Sequence, residues 1–180
     1  MKTSQTSKIA FGGIICALSL VTMFLSSVFP MAEYTCPALA GIFLIALVID
    51  FNKKTALIAY IAISLLSIFM LPNKESAILF VAFLGYYPIL KSRLEQTKSR
   101  VVEWIFKIGI FNIAVVVAYV IIIYVFQMTE LLSDMQAFAK YGVYILLALG
   151  NVAFVVYDFA LTNLIAMYIQ RIKPKFKHMF

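Results

Sequence analysis

Residues 102–127 read VEWIFKIGIFNIAVVVAYVIIIYVFQ, and no charged side chain occurs in this stretch after Lys107. A helix needs about 20 predominantly apolar residues to cross a hydrocarbon core about 30 Å thick. This stretch is long enough, and it lacks the alternation of polar and apolar residues that is typical of a barrel strand. It therefore predicts a transmembrane helix.

The rest of the 180-residue chain repeats this pattern. Hydrophobic residues make up 64 % and charged residues 13 % of the sequence, whereas an ordinary soluble domain has about 25 % charged residues. Six segments are candidate membrane spans, namely residues 8–29, 37–51, 55–71, 76–90, 102–127 and 141–168. The sequence predicts an all-helical integral membrane protein that forms one compact bundle of six transmembrane helices.

Three of the six segments, 37–51, 55–71 and 76–90, are short enough to be re-entrant or tilted. A re-entrant hairpin made from the first two would leave Lys53 and Lys54 at membrane depth. Insertion scales put that cost at roughly 2.5 to 3.5 kcal/mol for each lysine. We therefore expect all six segments to cross.

The distribution of basic residues predicts the orientation of the bundle. With six spans and a cytoplasmic N-terminus, only Lys74 and Lys140 of the fifteen basic residues lie outside, as the positive-inside rule requires. The other thirteen lie in the inner segments: Lys2, Lys8, Lys53, Lys54, Lys91, Arg93, Lys98, Arg100, Lys107, Arg171, Lys173, Lys175 and Lys177. Both termini are expected to be cytoplasmic.

Motifs that support catalysis are missing from the sequence. It contains no HExxH, GxSxG, P-loop or CxxC pattern, and its single histidine, His178, lies two residues from the end. The net charge of +7 arises from clusters between apolar runs rather than from one basic face, which disfavours a nucleic-acid partner. We expect neither enzymatic activity nor a cofactor.

The sixth span contains the main polar constellation. Asn151, Asp158 and Thr162 are spaced by seven and four residues, with Tyr144 seven residues before Asn151, so they share one helical face. An ionisable side chain inside a span is a candidate functional residue by default. The alternative is that Asp158 makes an interhelical hydrogen bond, for instance to Asn112 or to a tyrosine hydroxyl.

A second polar group lies in the two outer loops. Glu33 and Tyr34 follow the first span, and Asn73, Lys74 and Glu75 precede the fourth. Asn73 is suited to cap a helix that starts there, with Glu75 favourable to the helix dipole. The same helix start would present free N–H groups to a polar ligand, so the two interpretations are compatible. Lys74 beside the two glutamates would suit a polar or zwitterionic ligand.

Small residues recur on the inner half of the first span. Ala10, Gly13 and Ala17 are spaced by three and four residues and form a stripe along one side of the helix. Such a stripe lets another helix approach closely in lipid. The partner helix belongs either to this bundle or to a separate membrane protein.

This combination of chain length, six hydrophobic helices, inner termini and small-residue stripe resembles the substrate-binding S components of energy-coupling factor transporters, which take up vitamins in bacteria. In that family a small-xxx-small motif on the first helix contacts a transmembrane coupling protein. The stretch KIAFGGIICA, residues 8–17, places Ala10, Gly13 and Ala17 in that role. The usual Ala-xxx-Ala is here Gly13-Ile-Ile-Cys-Ala17.

The resemblance implies a ligand site near the outer surface, closed by the first external loop. It also implies a vitamin-like substrate, a coupling protein with two cytoplasmic ATPases as partners, and a multi-pass location in a bacterial plasma membrane. The candidate substrate-binding residues are Glu33, Tyr34, Asn73, Lys74, Glu75, Tyr144, Asn151 and Asp158, of which Asp158 lies deepest in the membrane.

Two other functions remain open on the sequence alone. A non-transporting scaffold of a cell-envelope or cell-shape complex would use its inner basic clusters to hold proteins or anionic lipids. A self-sufficient proton-coupled carrier would use Asp158, although such carriers usually have repeated halves or a larger chain. The scaffold predicts that the basic loop 91–100 is essential, and the carrier predicts that Asp158 is.

Overall fold

The computed structural model of the protein describes residues 5–96, 99–126 and 142–173. It is all-helical, as predicted, and no strand occurs in these three ranges. The α-helices are α1 (Gln5–Leu25), α2 (Thr35–Asp50), α3 (Lys53–Met70), α4 (Lys74–Leu79), α5 (Tyr87–Leu94), α6 (Arg100–Tyr124) and α7 (Gly142–Met167). Shorter turns are the 3₁₀ helix Pro30–Ala32 and the π-helical turns Phe80–Leu84 and Tyr168–Ile172.

Several of these helices are long and apolar enough to cross a membrane. The five that meet this description are Gln5–Leu25, Lys53–Met70, Lys74–Leu94, Arg100–Tyr124 and Tyr144–Arg171. Helix α2 is also apolar but has only 16 residues. These lengths and compositions are those of a multi-pass membrane protein.

The predicted spans coincide with these helices over most of their lengths. The fourth span was predicted over 76–90, whereas its helical segment runs from Lys74 to Leu94. The end of the fifth predicted span at residue 127 and the start of the sixth at residue 141 lie outside the described residues. So do Lys2, Lys98, Lys140, Lys175, Lys177 and His178.

The fourth span is not a continuous α-helix. The π-helical turn Phe80–Leu84 separates α4 from α5, and its hydrogen bond runs from the Gly85 N–H to the Phe80 carbonyl at 2.8 Å. A π turn interrupts the regular ladder of backbone bonds. The Tyr60 hydroxyl of α3 donates to the Val81 carbonyl at 2.6 Å, so the interrupted segment is joined to its neighbour.

Small residues allow close packing at the centre of the bundle. A Cβ atom on Gly41 of α2 would lie 2.2 Å from the carbonyl oxygen of Leu84, so only glycine permits this approach of α2 to the fourth span. Nearby, the Ser19 hydroxyl of α1 donates to the Ala40 carbonyl at 3.1 Å. Both contacts bring backbones together, as is typical of membrane helices.

Aromatic rings fill the space between the fourth span, α6 and α7. Phe83 packs edge-on against Phe111 of α6 and Phe154 of α7, at ring-centroid distances of 5.2 Å and 5.4 Å. Phe111 and Phe154 stack on each other at 4.6 Å. These rings pack the fourth span, α6 and α7 against one another.

The two ends of the bundle differ in charge. Residues 26–34 and 71–73 lie at one end, which we call the loop end. The opposite end, which we call the basic end, contains Lys53, Lys54, Arg93, Arg100, Arg171 and Lys173. Phe11 in α1 packs on Phe51 at 5.7 Å, and Tyr168 donates to the Asp50 carboxylate. The start of α1 and the end of α7 therefore both lie at the basic end.

Candidate functional site

The loop between α1 and α2 is bonded to the start of α4 at the loop end. The Asn73 amide donates to the Glu33 carboxylate at 2.9 Å, and the Ser76 hydroxyl donates to the Glu33 carbonyl at 2.9 Å. These bonds link residues about forty positions apart in sequence. They bring together Glu33 and Asn73, which the sequence singled out in two separate loops.

Tyr34 and Glu75 make a second connection between the same two segments. The Tyr34 hydroxyl donates to the Glu75 carboxylate at 3.0 Å, and Glu75 is only 6 % exposed. Partial burial raises the pKa of the Tyr34 phenol, which therefore stays protonated and donates at neutral pH. We call Glu33, Tyr34, Asn73, Glu75 and Ser76 the loop latch.

The local sequence explains why α4 starts where it does. Pro72 interrupts the chain after α3, and Asn73 has an extended backbone whose side chain accepts from the Ser76 N–H at 3.1 Å. This is the N-cap predicted from the sequence, with Glu75 in the first turn. The cap fixes the direction in which Glu75 enters the bundle.

Lys74 does not join the loop latch. Its ammonium donates to the carbonyls of Ile68 and Leu71 at 2.8 Å and 2.9 Å, at the end of α3. A cation is favourable there because the last carbonyls of a helix are unpaired and form the negative end of its dipole. Lys74 was expected to lie beside Glu33 and Glu75 in a ligand pocket, whereas its hydrogen bonds are to the end of α3.

Asn151 also lies away from the loop latch. It exchanges two hydrogen bonds with Asn112 of α6, at 2.9 Å and 3.0 Å, and also donates to the Leu147 carbonyl at 2.8 Å. Tyr144, predicted on the same face, is 71 % exposed. The polar face of the sixth predicted span is thus only partly turned into the bundle.

Asp158 is at the centre of a buried charge cluster. Its carboxylate accepts from the Tyr87 hydroxyl and the Lys91 ammonium, both at 2.5 Å, and from the Lys107 ammonium at 3.0 Å. All four residues are at most 3 % exposed. The cluster joins α5, α6 and α7, and it includes the tyrosine bond that the sequence offered as an alternative role for Asp158.

Two glutamates complete the charge cluster towards the basic end. Glu95 lies 2.6 Å from the Lys91 ammonium and 3.6 Å from that of Lys107, and Glu103 lies 2.7 Å from Lys107. The Lys107 ammonium also lies 5.3 Å from the centre of the Trp104 ring. Each buried cation therefore has more than one anionic partner, which offsets the cost of removing it from water.

Tyr87, Lys91 and Lys107 were not among the partners predicted for Asp158. One available signal was that Lys107 and Asp158 both fall inside predicted spans, where opposite charges are expected to pair. A second signal was the four-residue spacing of Tyr87 and Lys91, which places them on one helical face. Both were obscured because the lysines were counted among the cytoplasmic cations.

The loop latch and the charge cluster are separate sites. Glu75 and Tyr87 are twelve positions apart in the fourth span, which corresponds to roughly 18 Å of helix. The predicted set of site residues is therefore divided, and only Glu33, Tyr34, Asn73 and Glu75 lie together. Within residues 5–96, 99–126 and 142–173, no group of three His, Cys, Asp or Glu side chains is placed to hold a metal ion.

The small-residue stripe lies on the outside of the bundle. Ala10, Gly13 and Ala17 are exposed, and a Cβ atom on Gly13 would meet nothing within 4 Å. The opposite side of α1 is buried through Ile15, Ser19 and Met23. The described part of this chain does not use the stripe for internal packing.

An open apolar groove continues from the stripe towards the loop end. It has a volume of about 470 Å³ and runs between α1 and the end of α3. Its lining includes Ala17, Val21, Phe24, Val28, Met70 and Leu71. Ala17 belongs to both features, so the stripe and the groove form one continuous apolar surface.

Comparison of the chain with protein-family models, with curated proteins and with solved structures found no match. The family resemblance therefore depends on the sequence pattern alone.

Proposed function

We propose that this protein is the substrate-capture subunit of an energy-coupling factor importer. It binds a vitamin or a related small precursor on the extracellular side and delivers it together with a separate coupling protein and two ATPases. The observation that supports this function most directly is the exposed small-residue stripe on α1, which lies on the surface that the resemblance assigns to the coupling protein.

The stripe is informative because internal contacts of this bundle also use small residues, and those are buried. Ser19, Ala40 and Gly41 lie where backbones approach one another. Ala10, Gly13 and Ala17 have the same character but are exposed, and a Cβ atom on Gly13 would meet nothing within 4 Å. Since small residues permit close helix contact in lipid, a helix of a second protein is the occupant that fits them.

The proposed orientation places the basic end in the cytoplasm, following the positive-inside rule. In this orientation α2 also crosses the membrane, which brings the five long helices to six crossings. The fourth span crosses once despite its π turn. Both termini are cytoplasmic, and the loop end faces the outside of a bacterial plasma membrane. The loop latch then lies on the extracellular side.

The proposed ligand site is the loop latch, with the loop between α1 and α2 as its lid. Glu33, Tyr34, Asn73 and Glu75 are its candidate ligand contacts. A polar ligand would replace some of the bonds that they now make with each other. Lys74, Tyr144, Asn151 and Asp158 are left out of the proposed site because their partners or their exposure place them elsewhere. The protein performs no chemistry on the ligand.

The other two functions have less support. A scaffold would have to use the exposed cations of the basic end, such as Arg93 and Arg100, because Lys91 and Lys107 are buried in ion pairs. A proton-coupled carrier would need Asp158 to release and accept protons, whereas this carboxylate is shared between two ammonium groups. Both observations favour a structural role for the charge cluster.

The docking claim is tested by affinity purification of the tagged protein from its native host in mild detergent, with mass spectrometry of the recovered partners. We compare the wild type with Gly13→Leu. The matched control is Gly109→Leu, because Gly109 in α6 is also exposed with nothing within 4 Å of a Cβ atom. We expect wild type and the control to recover a membrane coupling protein with two ATPases, and Gly13→Leu to lose them.

Recovery of cell-wall or cytoskeletal proteins instead of ATPases would overturn the transporter function and favour the scaffold. Equal recovery of the coupling protein by Gly13→Leu would keep the function but remove the stripe as its docking surface.

A further inference from the structure

The loop between α1 and α2 has two unlike sides. On one side, Glu33 and Tyr34 bond to the start of α4. On the other, Val28, Phe29 and Met31 are 65 %, 59 % and 98 % exposed. Three exposed, large apolar side chains within four consecutive positions are unusual for a loop in water, where exposed apolar residues are normally scattered.

The apolar side of the loop continues a surface that faces lipid. Val21 and Phe24 of α1 are 63 % and 45 % exposed, and with Val28 they line the groove between α1 and α3. Because α1 is long and apolar enough to cross the membrane, these exposed side chains of α1 contact lipid tails. Val28 extends this lipid-facing surface into the loop without a break.

The length of α1 places the loop at the membrane boundary. Lys8 is the last charged residue before the loop, and Leu25 ends the helix. The 17 steps between them span roughly 26 Å at 1.5 Å each, which leaves about 4 Å of a hydrocarbon core 30 Å thick. Val28 and Phe29 therefore begin near the far edge of the hydrocarbon, and Met31 lies at the level of the headgroups.

We propose that Val28, Phe29 and Met31 form an apolar wedge that inserts into the lipid interface at the loop end, so that the bilayer holds one side of the loop while α4 holds the other. The occupant of this surface is phospholipid. The wedge requires neither the ligand nor the coupling protein, so this proposal is independent of the proposed transport function.

The wedge determines how the loop could move. Opening would break the polar bonds to Asn73, Glu75 and Ser76, which water can replace. Withdrawing the wedge would expose three apolar side chains to water, which is unfavourable. Any opening motion is therefore expected to be a rotation about the lipid-anchored side of the loop.

The test uses single-tryptophan variants of the full chain in lipid vesicles. Trp104 is the only tryptophan, so Trp104→Phe gives a silent background in which Met31→Trp reports the loop. One control is Gln96→Trp, in an exposed turn at the basic end. The second is Ile14→Trp, at a position of α1 that is 57 % exposed to the lipid core.

We expect the emission of Met31→Trp to be blue-shifted relative to Gln96→Trp and severalfold less quenched by aqueous iodide. Lipids brominated close to the headgroup should quench it more than lipids brominated deep in the tails, with the reverse order for Ile14→Trp. Phe29→Trp should behave like Met31→Trp. Agreement between the two variants would show that the result does not come from a local distortion in one of them.

Emission and iodide quenching of both loop variants equal to those of Gln96→Trp would overturn the proposal. A change in lipid quenching when the protein is diluted in the vesicles would also overturn it, because a second protein molecule would then be covering the surface.

Discussion

Asp158 is the counter-ion of two lysines that have almost no exposure to solvent or lipid. Its carboxylate bonds Lys91 and Lys107 from two different helices. Breaking a buried ion pair by removing one partner leaves an uncompensated charge, which costs more than the pair itself contributes. The residue therefore matters most for the assembly of α5, α6 and α7.

We predict that Asp158→Asn destabilises the protein by up to about 3 to 5 kcal/mol, because both lysines lose their shared anion and keep only Glu95 and Glu103 as partners. Thermal unfolding in detergent, followed by the emission of Trp104, measures this effect. Thr162→Val is the control, since the Thr162 hydroxyl bonds only to the Asp158 carbonyl within its own helix among the described contacts. Equal unfolding temperatures for the two variants would contradict the structural role of Asp158.

The Asn112–Asn151 pair allows a direct measurement of one polar contact. Replacing either residue by alanine removes both amide bonds, so the two single variants and the double variant form a cycle. Interhelical hydrogen bonds in membrane proteins contribute about 0.6 kcal/mol on average and up to about 1.7 kcal/mol. We expect a coupling energy in this range from unfolding in detergent, and a value of zero would contradict the reciprocal pairing.

At this scale the sequence predicted part of the site. The predicted N-cap at Asn73 is confirmed. It was predictable because its partner Ser76 is only three residues away in the sequence. The hydrogen-bond partners of Lys74 were not predictable, since they depend on where α3 ends relative to the start of α4. The partners of Asp158 depend on the relative heights of three helices, which a sequence pattern does not contain.

Among the elements, the fourth span is the most constrained. Its π turn faces Gly41 of α2, where the Leu84 carbonyl occupies the space of a side chain. Tyr60 bonds the Val81 carbonyl from the other side. The π turn therefore contacts two neighbouring helices.

We predict that Gly41→Ala destabilises the protein by about 1 to 3 kcal/mol or more, because the added methyl group overlaps backbone atoms rather than a movable side chain. Gly109→Ala is the matched control, since it adds the same group where nothing lies within 4 Å. Alanine is the better helix former by up to about 1 kcal/mol, so the control should be neutral or stabilising. Similar unfolding temperatures for both variants would contradict the close contact.

The loop between α1 and α2 should loosen when one of its bonds is removed. Tyr34→Phe deletes the hydroxyl that donates to Glu75 and keeps the ring. We expect faster amide hydrogen exchange in residues 26–34, measured by mass spectrometry, with α2 unchanged. Tyr144→Phe changes an exposed tyrosine in the same way and should leave the loop unaffected. Unchanged exchange in Tyr34→Phe would mean that the latch does not hold the loop.

Element boundaries were predictable only where the sequence contains a local signal. The apolar segments identified the helices because length and hydropathy are properties of the chain itself. The π turn was not predicted, since Phe80–Leu84 is as apolar as its neighbours and the turn results from packing on α2 and α3. The fourth span was predicted to end at residue 90, and its helical segment continues to Leu94.

The whole molecule has two ends with different roles in this account. The basic end contains the charge cluster, which fixes three helices relative to each other. The loop end contains the latch, whose bonds a ligand can replace, and the outer face of α1 presents the small-residue stripe. In the proposed transport function, ligand capture at the latch and partner docking at the stripe would use different parts of the molecule.

The central claim is that the loop end captures a small molecule, and the most direct measurement is a thermal-unfolding screen of the purified protein against water-soluble vitamins and their precursors. A ligand present at 100 times its dissociation constant stabilises by about 2.7 kcal/mol, which corresponds to a rise in Tm of about 5 to 10 °C for a chain of this size. We predict such a rise for one chemical class, and its loss in Tyr34→Phe combined with Asn73→Ala. A ligand that stabilises this double variant as much as the wild type would contradict the proposed site, and a flat response to the whole panel would contradict vitamin capture.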